Sequence, residues 1–119
     1  MSSNGFAHLQ LASPDLKKAV PFYKAMFGWK MEQAPMPGME YTLFTPDAGF
    51  GGGMMQATPD GAPHWMPFVF VPDVPAAVTK AKALGAKVIV DVHEVTGYGW
   101  AAIFTDPAGS PIAVFKPHM

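Results

Sequence analysis

The chain has no cysteine among its 119 residues, which excludes disulfides, thiolate metal sites and a cysteine nucleophile. It also has no concentration of one charge. The formal net charge is -1, and the basic residues are scattered, so nucleic acid is not an expected partner. No apolar run is long enough for a membrane span, and polar residues 1–5 lead straight into a short alternating segment, unlike a signal peptide. A cytoplasmic location is therefore expected. Two catalytic patterns are missing as well. No Ser-His-Asp arrangement follows from spacing, and no pair of carboxylates stands out for acid–base work. The Gly51-Gly52-Gly53 tract has no helix after it and so is no phosphate cradle; it reads as a bulge or a close backbone approach.

What is present is apolar and repeated. Half of the residues are hydrophobic, enough for one compact domain over residues 1–119. Pro14-Asp15-Leu16-x-x-Ala19-Val20-x-x-x-Lys24-Ala25 recurs 58 residues later as Pro72-Asp73-Val74-x-x-Ala77-Val78-x-x-x-Lys82-Ala83. Phe44-Thr45-Pro46-Asp47-Ala48-Gly49 recurs 60 residues later as Phe104-Thr105-Asp106-Pro107-Ala108-Gly109. Two copies are too few for a solenoid, so the pattern predicts two modules, about residues 6–56 and 66–117, joined by a Pro- and Gly-rich linker over 57–65.

Each module reads as a strand, a helix and three strands. Residues 6–12 alternate, with Leu9 and Leu11 on one face and His8, Gln10 and Ala12 on the other. Ser13 or Asp15 can cap the helix that follows. Leu16, Ala19, Val20, Tyr23, Met26 and Phe27 have helical spacing, and Gly28 suits a left-handed C-cap. Pro21 predicts a kink, since it removes a backbone donor and crowds the carbonyl of Lys17. Strands are expected over 29–32, 41–45 and 50–56. In the second module, a strand over 66–71 precedes a helix over 74–84 that Asp73 caps, with Pro75 in its first turn and Gly85 at its end. Strands over 87–92, 100–105 and 112–116 follow, with a loop over 93–99.

The duplicated βαβββ plan, the opening His8-x-x-Leu11-x-x-x-Asp15-Leu16, the Phe22-Tyr23 and Phe27-Gly28-Trp29 pairs and the closing Asp106-Pro107-x-Gly109 resemble the vicinal oxygen chelate superfamily. That superfamily comprises glyoxalase, bleomycin-resistance and dioxygenase proteins. Gly51-Gly52-Gly53-Met54 and Pro63-x-Trp65 look most like its small glyoxalase-like members. The resemblance implies an α+β fold of two tandem modules with pseudo-twofold symmetry, with cupped mixed sheets around a central cavity and helices outside. It also implies a homodimer, to which Trp29, Trp65 and Trp100 add aromatic surface.

In metal-dependent members of that superfamily, four inward positions on the first and last strands of the modules hold a divalent ion. His8 matches the first. The other three do not match: residues 51–56 carry no carboxylate or imidazole, Met66 holds the register of His8, and Ala113 stands where a Glu would follow the final turn. One ligand of four makes no metal site, so no cofactor is expected; a divalent ion would need other ligands, such as Glu40. His8 then reads as a hydrogen-bonded histidine at a pocket edge, a ligand-contacting donor or a catalytic general base. Gln10 points to the same side. Met66, Phe68 and Phe70 form the equivalent face of the second module, while Val69 and Val71 turn toward its helix.

The candidate ligand-binding set is His8, Gln10, Met66, Phe68, Tyr98 and Trp100. The last two belong to a glycine-flanked loop that either covers the pocket mouth or simply connects two strands. Asp91, His93 and Glu94 read as a solvated strand end or a weak metal constellation, and His64 and His118 as surface residues. The expected function is binding of a small, partly aromatic organic molecule. Two alternatives stay open: a lyase, isomerase or dioxygenase, and an assembly domain whose cavity its own side chains fill.

Overall fold

A computed structural model of the chain describes residues 4–34, 40–56, 62–95 and 97–118. Each half follows the order that the repeat predicts. The first contains β1 (Phe6–Ser13), α1 (Leu16–Phe27), β2 (Lys30–Gln33), β3 (Tyr41–Thr45) and β4 (Gly52–Gln56). The second contains β5 (His64–Phe70), α2 (Val74–Ala83), β6 (Lys87–Val95), β7 (Gly99–Thr105) and β8 (Pro111–Pro117). The fold is thus α+β, two βαβββ modules in tandem, with eight strands and two helices among the described residues. Two compact units divide the chain, His8–Trp65 and the remainder from Met66 together with the first residues. No helix among the described residues is long and apolar enough to cross a membrane.

The two modules share one topology. In the first, β1 pairs in parallel with β4, and β3 lies antiparallel to both β4 and β2. In the second, β5 pairs in parallel with β8, and β7 lies antiparallel to both β8 and β6. A parallel pair needs a long crossover, and in each module the helix and two strands supply it.

Local chemistry explains where the helices begin and end. Asp15 Oδ1 accepts from the Lys18 amide at 3.3 Å, and Ser13 Oγ accepts from the Asp15 amide at 3.1 Å. Both candidate caps therefore act, in series. Asp73 Oδ1 accepts from the Ala76 amide at 2.9 Å in the equivalent position of α2. Gly28 closes α1 at φ +70, its amide donating to Lys24 O at 2.8 Å, the conformation that a β-carbon disfavours. Pro21 lies inside α1, which runs as one helix from Leu16 to Phe27.

Each helix covers one face of its own sheet. Leu16, Ala19, Val20 and Tyr23 pack with Leu11, Phe44 and Met54, while Val74, Ala77 and Val78 pack with Val71, Ala102 and Val114.

One segment departs from the sequence expectation. The loop expected over 93–99 is largely strand, because β6 continues to Val95 and pairs His93 with Ala101, Glu94 with Trp100 and Val95 with Gly99. Register shifts between Val88 and Val90 and between Val90 and His93 interrupt the pairing, and such bulges break the two-residue alternation by which a strand is read. The second module's first strand also starts earlier than Met66, at His64. Residues 57–61 of the expected linker, and Thr96, lie outside the described residues.

Candidate functional site

The helix-free face of the first module's sheet is where its polar chemistry collects. Strand alternation sends Leu9 and Leu11 toward α1 and His8 and Gln10 to the opposite face, as the pattern predicts. Gln10 lies beside Gly53 across β1 and β4, and Tyr41 is opposite Met55 across β3 and β4. The four side chains His8, Tyr41, Gln10 and Met55 consequently form a row of contacts. His8 Nε2 lies 2.9 Å from the Tyr41 hydroxyl, Tyr41 donates to Gln10 Oε1 at 3.1 Å, and Gln10 Nε2 donates to Met55 Sδ at 3.3 Å.

Tyr41 is buried and His8 and Gln10 are half-buried. Burial lowers the pKa of His8 below the usual imidazole value of 6.5, since a partly desolvated ring resists charging. The imidazole is therefore predominantly neutral at neutral pH. Among the described residues, no buried side-chain nitrogen or oxygen lacks a partner.

The glycine tract makes this row possible. A β-carbon on Gly53 would overlap Cζ, Cε2 and Oη of Tyr41, so the tyrosine ring lies directly over the bare strand there. A β-carbon on Gly52 would overlap the Leu9 carbonyl and come within 2.8 Å of Phe44 Cζ. Both glycines serve close approach, one of the two readings that the sequence allowed.

The other predicted site residues fall into separate places. Met66 and Phe68 belong to a buried cluster with Ala101 and Ala113, against which Ile103 and Phe115 pack; by alternation this is the helix-free face of the second sheet. Phe70 is partly exposed. Trp100 extends from β7 on the opposite side from Ala101, with its ring 5.9 Å from His118. Tyr98 precedes β7 in a turn, its amide bonded to Val95 O at 2.8 Å and its carbonyl to the His118 amide at 2.8 Å.

Several polar candidates serve local structure. Gln56 ties β4 to the start of α1, accepting from the Leu16 amide at 3.1 Å and donating to Pro14 O at 2.5 Å. Glu40 is exposed and lines a shallow groove with Leu16, Lys17 and Thr42, on the α1 side. His93 Nδ1 lies 3.0 Å from its own strand's Asp91 carbonyl, His64 Nδ1 lies 2.9 Å from Ala62 O, and His118 pairs with Glu94 at 3.1 Å.

The donors gathered around His8 are a phenol, an amide and a thioether. A hard or borderline divalent ion prefers imidazole and carboxylate in greater number, so this set does not fit such an ion. Among the described residues, no group of three or more His, Asp or Glu side chains could hold one.

Sequence reasoning missed Tyr41. The signal was in the repeat: at the offsets of 58 and 60, the set His8, Gln10, Tyr41, Gly53 and Met55 corresponds to Met66, Phe68, Ala101, Ala113 and Phe115. The second set is the apolar cluster just described.

Residues 8–115 match the family model of the glyoxalase-like domain. The chain is 34% identical over 108 residues to the putative glyoxylase CFP32 of Mycobacterium bovis, covering 87% of this chain and 40% of that protein. It is 29% identical over 126 residues to the anthracycline biosynthesis protein DnrV of Streptomyces peucetius, covering 92% of this chain and 46% of that one. The chain thus spans less than half the length of these curated relatives. Among solved structures, the methylmalonyl-CoA epimerase of Mycobacterium tuberculosis shares the fold with a TM-score of 0.71 at 17% identity, over 97% of this chain and 89% of that chain. The duplicated βαβββ architecture and the matches over nearly the whole chain agree: the protein belongs to the glyoxalase-like domain family of the vicinal oxygen chelate superfamily.

Proposed function

We propose that this domain binds a small organic molecule, without a divalent metal, on the helix-free face of its first module, where His8, Gln10 and Tyr41 supply the polar contacts. The observation that carries this reading is the His8–Tyr41–Gln10 row itself. At the equivalent register positions the second module carries only apolar residues, Met66, Phe68, Ala101, Ala113 and Phe115, so the fold does not require polar groups there. Partly buried polar groups cost stability unless bonded, and a row of them on a largely apolar scaffold suits recognition. Relatives named for glyoxylase activity and anthracycline biosynthesis, and a fold neighbour that is a methylmalonyl-CoA epimerase, all belong to small-molecule chemistry.

The neutral His8 imidazole favours a second reading, in which the same site acts as a metal-free lyase or isomerase with His8 as general base. The expected homodimer is supported by Phe22, Met26 and Phe27, which α1 leaves largely exposed.

A thermal-shift screen of small organic acids, phenols and acyl thioesters tests the binding reading, because a ligand specific for the folded state raises the melting temperature by mass action. The expected hit loses its shift in H8A and Q10A. A broad screen without shifts would overturn the reading. Near one nickel, zinc or manganese ion per chain after desalting would overturn the metal-free part. Turnover lost in H8A with binding retained would favour the enzyme.

A further inference from the structure

We infer that Tyr41 is the positioning residue of this site, holding the His8 ring as its Nε2–H tautomer, and that Gly53 is glycine so that Tyr41 can do so. The inference deepens the proposed function and rests on it only for the claim that the His8 face is the binding site. The assignment of each proton follows from the order of partners along the row. A thioether sulfur cannot donate, so the 3.3 Å contact from Gln10 Nε2 to Met55 Sδ fixes which way the amide faces. Its oxygen therefore meets Tyr41. Turned over, the amide would set its oxygen against a sulfur with no proton to give.

Tyr41 has one hydroxyl proton, and it goes to Gln10 Oε1 at 3.1 Å. Toward His8 Nε2, 2.9 Å away, the hydroxyl can then only accept. Nε2 must carry the ring proton, which leaves the lone pair of the neutral ring on Nδ1. Hydrogen bonds in such a chain polarise one another in the same direction. A metal ion, or any donor, that engaged Nε2 would have to break the Tyr41 bond.

The repeat provides an internal control. Where the first module has Tyr41 and Gly53, the second has Ala101 and Ala113, both almost fully buried. A large residue whose ring lies over a glycine has been exchanged for two small residues. The glycine therefore follows the tyrosine and is not a general requirement of the strand, which tolerates a β-carbon at the equivalent place.

The test is a long-range proton–nitrogen correlation spectrum of the imidazoles in 15N-labelled protein without ligand, with His8 assigned by its absence in H8A. The expected wild-type spectrum shows His8 with a protonated Nε2 whose proton exchanges slowly with water. Tyr41→Phe removes the hydroxyl, and the slow exchange should be lost. Gln10→Met removes the acceptor and frees the Tyr41 proton to turn toward His8, so the Nδ1–H population should rise. A residue that merely fills space would not move the tautomer. A wild-type Nδ1–H ring, or a His8 spectrum unchanged in a folded Y41F or Q10M, would overturn the inference, and Q10M decides it if Y41F fails to fold. A failed ligand screen would overturn the binding reading and leave this result standing, so the two failures are distinguishable.

Discussion

The helix-free faces of the two modules share one scaffold and differ in chemistry. Gln10 pairs with Gly53 and Phe68 with Ala113 across the parallel strands; Tyr41 pairs with Met55 and Ala101 with Phe115 across the antiparallel ones. Across these strand pairs the backbone is used alike, yet the first face is linked by hydrogen bonds and the second by dispersion and apolar burial. Backbone pairing thus constrains where side chains meet and leaves open what they do. An apolar face stabilises whatever its exact partners, provided that volume is conserved. A polar face depends on each bond being made.

Four perturbations would break or sharpen this contrast, beginning with the largest. Gly52→Ala sets a β-carbon against the Leu9 carbonyl, which is backbone and cannot turn aside, so the loss should exceed the ~1–3 kcal/mol usual for overpacking. Gly53→Ala, which meets the Tyr41 ring, should fall within that range, and Ala113→Gly in the second module should cost only about 1 kcal/mol. Urea denaturation of the three variants gives the order. Equal losses for Gly53→Ala and Ala113→Gly would remove the asymmetry between the modules.

Tyr41→Phe should destabilise by about 1–3 kcal/mol, because His8 and Gln10 each lose a partner in a poorly hydrated place. The volume-conserving Met66→Leu should cost less than about 1.5 kcal/mol. Denaturation midpoints at constant m-value decide this pair.

The third perturbation is pH. With the His8 pKa lowered in the folded state, the unfolded chain binds more protons between that lowered value and 6.5. Stability should therefore be full above about pH 6.5 and fall as pH drops through the folded pKa. His8→Gln should flatten this part of the profile. An unchanged slope in H8Q would mean that His8 is as readily charged folded as unfolded.

The smallest difference is expected at the hairpin turns. Gly49 and Gly109 take φ of +85 and +99 with open space around them, so alanine should cost about 1–2 kcal/mol at each, through the backbone alone. Here the modules should respond alike, and a large disparity would show that the turns are not equivalent.

Much of the architecture was legible because it depends on local or repeated signals. Asp15, Gly28 and Asp73 mark helix ends by chemistry that acts within one turn. The alternation of residues 6–12 places His8 and Gln10 opposite Leu9 and Leu11 without any knowledge of the partners. The extension of β6 to Val95 was not legible, since bulges blur its period. Tyr41 was missed for a different reason. Within its own strand it reads as one more aromatic residue in a core, and its role arises only because β4 brings a glycine beneath its ring and β1 brings His8 and Gln10 to its hydroxyl.

The sequence by itself determined the two-module plan, the helix ends and the sidedness of the first strand of each module, because capping, glycine conformation and a two-residue period are properties of short stretches of chain. Only the tertiary structure decided which polar atoms meet, because Gln10, Tyr41 and Gly53 are neighbours through strand register alone. A shift of one residue in either pairing would turn the same side chains to opposite faces of the sheet.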